Sequence, residues 1–167
     1  MYRIKPLGWL GGCTSSAPVA SGFNNSGQGA GRACNANGDT HAFLWKNDGT
    51  PMVDLGPPEA GSSSEAVALN ASGLVTGDAQ DSTGEFAFLS SGDGTPMRRI
   101  QDSLGGSAIY PSAINDLGQL TGYASTAPNN SVTHAFLWKN DGSPILDLGT
   151  FFRGFHSSGS AINAFGQ

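Results

Sequence analysis

Three histidines, thirteen carboxylates and two cysteines are the side chains in this chain with the most chemistry to offer. His41 and His134 each open the segment His-Ala-Phe-Leu-Trp, His41–Trp45 and His134–Trp138. Two histidines at matching positions of separate copies belong to separate units, so a shared metal site is not expected. Each reads as a structural histidine at the start of a strand. His156 stands outside that pattern. The acids include Asp54 and Asp147, which recur in Asp-Leu-Gly. A repeated acid of this kind serves a turn or strand end by hydrogen bonding more often than it catalyses. Asp78, Asp81, Glu85 and Asp102 belong to no acid/base, nucleophile or metal motif, so no catalytic residue and no cofactor is expected. Convergence of three or more of these six carboxylates in one cleft would favour a hydrolase instead.

Three polar stretches, 35–39, 78–85 and 125–133, join neighbouring segments. Asn35-Ala36-Asn37-Gly38-Asp39 has oxygen donors at alternate positions, which is half of a calcium loop, but no bidentate Glu follows at the right distance. Cys13 and Cys34 both lie in the first copy. They read by default as free thiols, with a disulfide as the alternative in an oxidising compartment. Two cysteines without a nearby histidine cannot form a structural zinc site. Asn24, Asn70 and Asn129 begin glycosylation sequons, of which the first two coincide with a repeated turn.

The elements that carry these residues are repeats. Asn-x-x-Gly occurs at Asn24/Gly27, Asn70/Gly73, Asn115/Gly118 and Asn163/Gly166. The third-segment landmark recurs at His41, Phe86 and His134, and Gly-Thr/Ser-Pro recurs at Gly49, Gly94 and Gly142. A period of 45 to 48 residues divides the chain into units 9–56, 57–101 and 102–149 and a partial unit 150–167, all in one domain, 1–167. The second copy departs from the pattern, with Phe86 for His, Ser90 for Trp and Arg99-Ile100-Gln101 for Asp-Leu-Gly.

Each unit holds four short apolar segments separated by Asn, Asp and Gly turns, a pattern of strands and hairpins. No window keeps a helical apolar spacing. Four antiparallel strands per unit is the arithmetic of a β-propeller blade, so the fold class read here is all-β, a propeller-like array of about three and a half units. Phe43, Phe88 and Phe136 fall on one strand face with Trp45 and Trp138 and are expected to pack between units.

His41–Trp45, His134–Trp138, Asp147–Gly149, Ala113–Gln119 and Ala161–Gln167 together resemble the bacterial HAF repeat family, described as probable extracellular repeats. The resemblance spans nearly the whole chain. It implies a secreted or cell-surface setting and a repeat fold, and it brings no reaction and no agreed binding residues.

Composition narrows the partners. Glycine numbers 25, charged residues make up 13% and the net charge is −5. With only 8 Lys and Arg and no basic run, a nucleic-acid partner is not expected. No apolar run reaches the ~20 residues that span a bilayer, and no export signal is visible near Met1. The function expected is a non-catalytic binding or scaffold module for a carbohydrate, a protein or a surface polymer. The alternative is a self-assembling structural protein. A homodimer is expected because an open arc of strands leaves edges that proteins normally cover.

Overall fold

The computed structural model describes residues 6–11, 17–57, 62–100, 104–151 and 154–167. Twelve strands form three four-stranded antiparallel sheets, with no helix among the described residues. The first sheet contains β1 (Val19–Phe23), β2 (Gly29–Cys34), β3 (Thr40–Trp45) and β4 (Val53–Asp54). The second contains β5 (Ser63–Leu69), β6 (Val75–Asp81), β7 (Gly84–Ser90) and β8 (Arg98–Ile100). The third contains β9 (Ile109–Ile114), β10 (Leu120–Ser125), β11 (Thr133–Trp138) and β12 (Leu146–Asp147). Strand order within each sheet follows the sequence, so every connection is a hairpin.

The sheets stack through the alternation of their third strands. Phe86 and Phe88 face the first sheet, where they meet Ala42 and Leu44. Ala87 and Leu89 face the third sheet and pack with Leu120, Phe136 and Trp138. The middle sheet is thus apolar on both faces, and Phe43, Phe88 and Phe136 are fully buried. Phe43, expected between units, instead faces away from the second sheet and packs with Ala33, Met52, Leu7 and Leu10, because Ala42 and Leu44 take the junction face. At roughly 20–33 cal/mol per Å² of apolar area, Phe86, Phe88 and Phe136 are the largest single contributions to stacking.

The Asn-x-x-Gly turn links the sheets as well as closing hairpins. In the second unit, Asn70 Oδ1 accepts the N–H groups of Ser72 and Leu74 at 3.1 and 2.9 Å. Gly73 follows with φ of 86°, the left-handed region that favours glycine. The other end of the same amide crosses to the next unit. Asn24 Nδ2 donates to Asn70 O at 3.0 Å, Asn70 Nδ2 to Asn115 O at 3.1 Å, and Asn115 Nδ2 to Asn163 O at 2.9 Å. One side chain type therefore serves both the turn and the junction. This use also engages the sequon amides of Asn24 and Asn70, whereas Asn129 is exposed.

The first strand of each sheet carries a bulge at an equivalent place, which leaves Ser21, Val67 and Ser112 outside the paired register. Opposite the bulges stand Gly31, Gly77 and Gly122. A Cβ at these positions would lie 1.9, 1.8 and 2.0 Å from the carbonyl oxygens of Val19, Glu65 and Tyr110. The bulge brings one backbone so close to the other that no side chain fits.

Among the described residues, the partial unit 150–167 keeps the turn of the full units without their strands. Asn163 forms its turn, with Oδ1 accepting Phe165 and Gln167 N–H groups at 2.9 Å. Residues Ser160–Asn163 are not a strand, since no second strand among the described residues pairs with them. The segment docks through Ser157 N–H to Thr133 O and Gly159 N–H to Gly122 O, both 2.9 Å. At the other end of the described residues, Pro6 and Leu7 are in no strand.

Candidate functional site

The repeated acid and the repeated histidine find each other. His41 Nδ1 lies 2.8 Å from Asp54 Oδ1, and His134 Nδ1 lies 2.9 Å from Asp147 Oδ1. The same carboxyl oxygens accept the N–H of Gly56 at 2.8 Å and of Gly149 at 2.7 Å. Asp-Leu-Gly is thus the clamp that orients the histidine of the neighbouring strand. The second unit replaces both partners together. Phe86 stands for the histidine and Arg99 for the acid, and the guanidinium lies 3.6 Å from the ring centroid. A cation–π contact takes the place of the histidine–carboxylate hydrogen bond. Arg99 is further bound to Asp81 and, at 2.7 Å, to Thr83 Oγ1.

Ser62, His41 and Asp54 lie in the order of a nucleophile, base and orienting acid. Ser62 Oγ is 3.4 Å from His41 Nε2, but its proton goes to Pro57 O at 3.1 Å. Ser62 is also buried, so the hydroxyl faces no solvent from which a substrate could approach. The geometry orients a histidine and offers no free nucleophile.

The six carboxylates singled out in the sequence are spread over the molecule. Asp54 and Asp81 line one cleft, Asp78 lines another, Glu85 bonds Tyr110 and Asp147 is held by His134. Asp102 lies outside the described residues. In the loop 35–39, Asn35 Oδ1 accepts the N–H groups of Asn37 and Asp39 at 2.9 and 3.0 Å, so the loop itself uses that oxygen. Among the described residues no three His, Cys, Asp or Glu side chains are grouped as metal ligands would be. Cys34 is disulfide-bonded and carries no free thiol, against the default reading, while Cys13 lies outside the described residues. An oxidised Cys34 fits a chain whose small core gains from a covalent tie. No helix among the described residues is long and apolar enough to cross a membrane.

The groups that do gather at one end were not evident in the sequence. Where each first strand faces its second, the paired residues are Val19/Arg32, Glu65/Asp78 and Tyr110/Tyr123. The bulges and Asn turns repeat around these pairs, yet the pairs themselves differ completely. They sit at the end that carries the loops 35–39, 78–85 and 125–133, opposite the Asn turns. Arg32 Nη1 crosses to Glu65 Oε2 at 2.6 Å, and Tyr110 OH donates to Glu85 Oε2 at 2.8 Å. The Tyr110 and Tyr123 rings are 5.1 Å apart and tilted by 34°. A cleft of about 460 Å³ runs beside Arg32, Glu65 and Asp78. Burial pushes the Asp78 carboxyl above its ordinary range, and the charges of Glu65 and Glu85 add to that. The bond to Glu85 and partial burial hold the Tyr110 phenol up at about 12. Aligning the units shows the signal that reveals this rim: positions that vary while their flanks repeat.

Other carboxyls are shifted the opposite way. Burial pushes Asp54 and Asp147 up, but the bonds from His41 and His134 and from the glycine N–H groups outweigh it and leave both low. Thr83 and Arg99 hold Asp81 at about 2, and Thr95 holds Asp93 at about 2. A carboxyl depressed in the fold stabilises it above the unfolded value near 4, and that contribution is lost as pH falls through the folded value. Urea midpoints are therefore expected to hold steady down to about pH 4 and then fall steeply toward about pH 2. A midpoint unchanged over that window would contradict the role given to these bonds. Asp78, raised in the fold, works in the other direction, so Asp78→Asn is expected to raise the midpoint at neutral pH.

Compared with family models, curated proteins and solved structures, the chain matches none of them.

Proposed function

We propose that this chain is a non-catalytic binding module of propeller-like repeats whose ligand is a carbohydrate held at the rim of Arg32, Glu65, Asp78, Glu85, Tyr110 and Tyr123. The supporting observation is the contrast between its two ends. The Asn-turn end repeats the same bonds in every unit, whereas the rim puts a different pair of side chains on the same backbone each time. Scaffolds of this kind keep structure in the repeated positions and specificity in the varied ones. Half-buried tyrosine rings offer apolar faces to a sugar, and neighbouring carboxylates accept its hydroxyl donors. Three carboxylates beside one arginine disfavour an anionic ligand. The resemblance to HAF repeats and the oxidised Cys34 support an extracellular or cell-surface setting.

An array of neutral and amino glycans tests this reading. Binding is expected, and Tyr123→Ala or Glu85→Gln should weaken it by about tenfold or more while leaving the fold intact. An array with no signal above background would remove the proposal. The hydrolase alternative gains from none of the contacts above.

A second reading rests on exposed rings. Phe151, Phe155 and Phe165 are 90%, 70% and 87% exposed, on the side where a further sheet would stack. We read this face as the contact of a homodimer. Light scattering is expected to give twice the 17.1 kDa chain mass at micromolar concentration, and the monomer mass would reject it.

A further inference from the structure

The junction between the first and second sheets differs from the one between the second and third in three positions at once. At the later junction Arg98 of β8 lies over the Trp138 ring, 4.8 Å from its centroid, and donates to Asn140 Oδ1 at 2.7 Å. Trp138 is buried there at 3% exposure. The strand registers make Val53 the counterpart of Arg98, through Leu44↔Val53 and Leu89↔Arg98. Ser90 is the counterpart of Trp138, through Val75↔Ser90 and Leu120↔Trp138. Gly92, two residues beyond Ser90, is the counterpart of Asn140. A guanidinium, an indole and an amide are thus replaced by an isopropyl, a hydroxymethyl and a hydrogen.

Beside Val53 and Ser90 the space is open, whereas at Gly92 Leu44 has moved in, 2.6 Å from where a Cβ would lie. A cavity of about 440 Å³ lies between β4 and the second sheet, with Val53, Ser90 and Gly92 all in its lining. Leu55, Phe86 and Met97 make its walls apolar, and Asp54 and Arg99 stand among them. Its size falls in the range of about 300–1,000 Å³ found for small-molecule sites. The wall also contains an unmet need. Arg99 Nε is buried and has no hydrogen-bond partner, although the far end of the same guanidinium is bound to Asp81 and Thr83. A buried donor left unpaired is costly, and a ligand acceptor brought against this guanidinium would recover part of that cost.

We propose that this cavity is a binding site for an indole-sized, uncharged aromatic group with a hydrogen-bond acceptor for Arg99. The equivalent junction shows that the scaffold accommodates an indole in this position. The two carboxylates in the lining, against one arginine, disfavour an anionic ring. The site is distinct from the rim of Tyr110 and Tyr123, so loss of either leaves the other open to measurement.

Two probes separate the sources of such a group. Free indole stands for a small aromatic ligand, and N-acetyltryptophanamide for a tryptophan carried by a peptide. Each is titrated into the intact chain while the amide resonances of Leu55, Gly92 and Met97 are followed. Binding of at least one probe at millimolar concentration, with shifts at those residues, is expected, and the tighter probe identifies the source. Ser90→Trp should fill the cavity and weaken binding by about tenfold or more. Val53→Arg, on the partly exposed side, should do the same by restoring the guanidinium and serves as the test if Ser90→Trp does not fold. Absence of shifts with both probes, or undiminished affinity in folded Val53→Arg, would overturn the assignment.

Discussion

Gly77→Ala is expected to destabilise the chain by about 3 kcal/mol or more, because a Cβ has no place to go. It would lie 1.8 Å from Glu65 O and 2.9 Å from Ala66 Cα, both backbone atoms of the paired strand. Neither can rotate aside, so the bulge must open and the close approach of β5 to β6 is lost with it. Gly84 is the control. Its φ is +119°, and a Cβ there would meet nothing. Gly84→Ala should therefore cost only backbone strain, about 1–2 kcal/mol. Urea denaturation of the two variants separates steric exclusion from conformational strain. Equal losses would mean that the approach of the strands is not what selects glycine at 77.

The second large effect belongs to Asn70. Asn70→Ala removes an oxygen that accepts from Ser72 N, Ser72 Oγ and Leu74 N, and a nitrogen that donates to Asn115 O at 3.1 Å. Asn70 is 5% exposed, so water cannot replace these partners. With each bond worth about 1 kcal/mol net and buried groups left unpaired, a loss of about 3–4 kcal/mol is expected. Asn70→Asp keeps the turn acceptor but sets a second oxygen against Asn115 O at the junction, so its loss, about 1–3 kcal/mol, falls on the contact between sheets and not on the turn. Asn163→Ala should cost less than Asn70→Ala, since the Asn163 amide is exposed and donates to Gln167 of its own turn at 3.3 Å. If all three variants melted alike, the bond between units would carry no weight.

Much of this architecture could be read from the spacing of turns. Asn-x-x-Gly, Gly-Thr/Ser-Pro and the aromatic third segment locate the hairpins, because glycine and asparagine mark positive φ and alternation marks the strand face. The burial of Phe43, Phe88 and Phe136 follows from the same pattern. What could not be read depends on register. Gly77 is one glycine among 25 until a bulge is known to stand opposite it. His41 and Asp54 are separated by thirteen residues, and only the β3–β4 pairing brings them into contact. The rim residues are further apart still. Arg32 reaches Glu65, and Tyr110 reaches Glu85, across sheets that local sequence does not relate. The same holds for the open junction, where the sequence shows Ser90 for Trp but not that Val53 and Gly92 flank the same space.

The two kinds of correlated exchange have different consequences for how such a chain can change. His41 with Asp54, and Phe86 with Arg99, lie within single units. Duplication, loss or shuffling of whole 45-residue modules would carry each pair along unbroken. Val53 and Ser90, like Arg98 and Trp138, belong to neighbouring modules. Moving the second unit to follow itself would set Arg98 against Ser90, and placing the third unit after the first would set Val53 against Trp138. In the first chimera a guanidinium loses its indole, and in the second an indole loses its cover. The internal pairs therefore leave a module free to travel, while the junction triads record which neighbour it has settled beside.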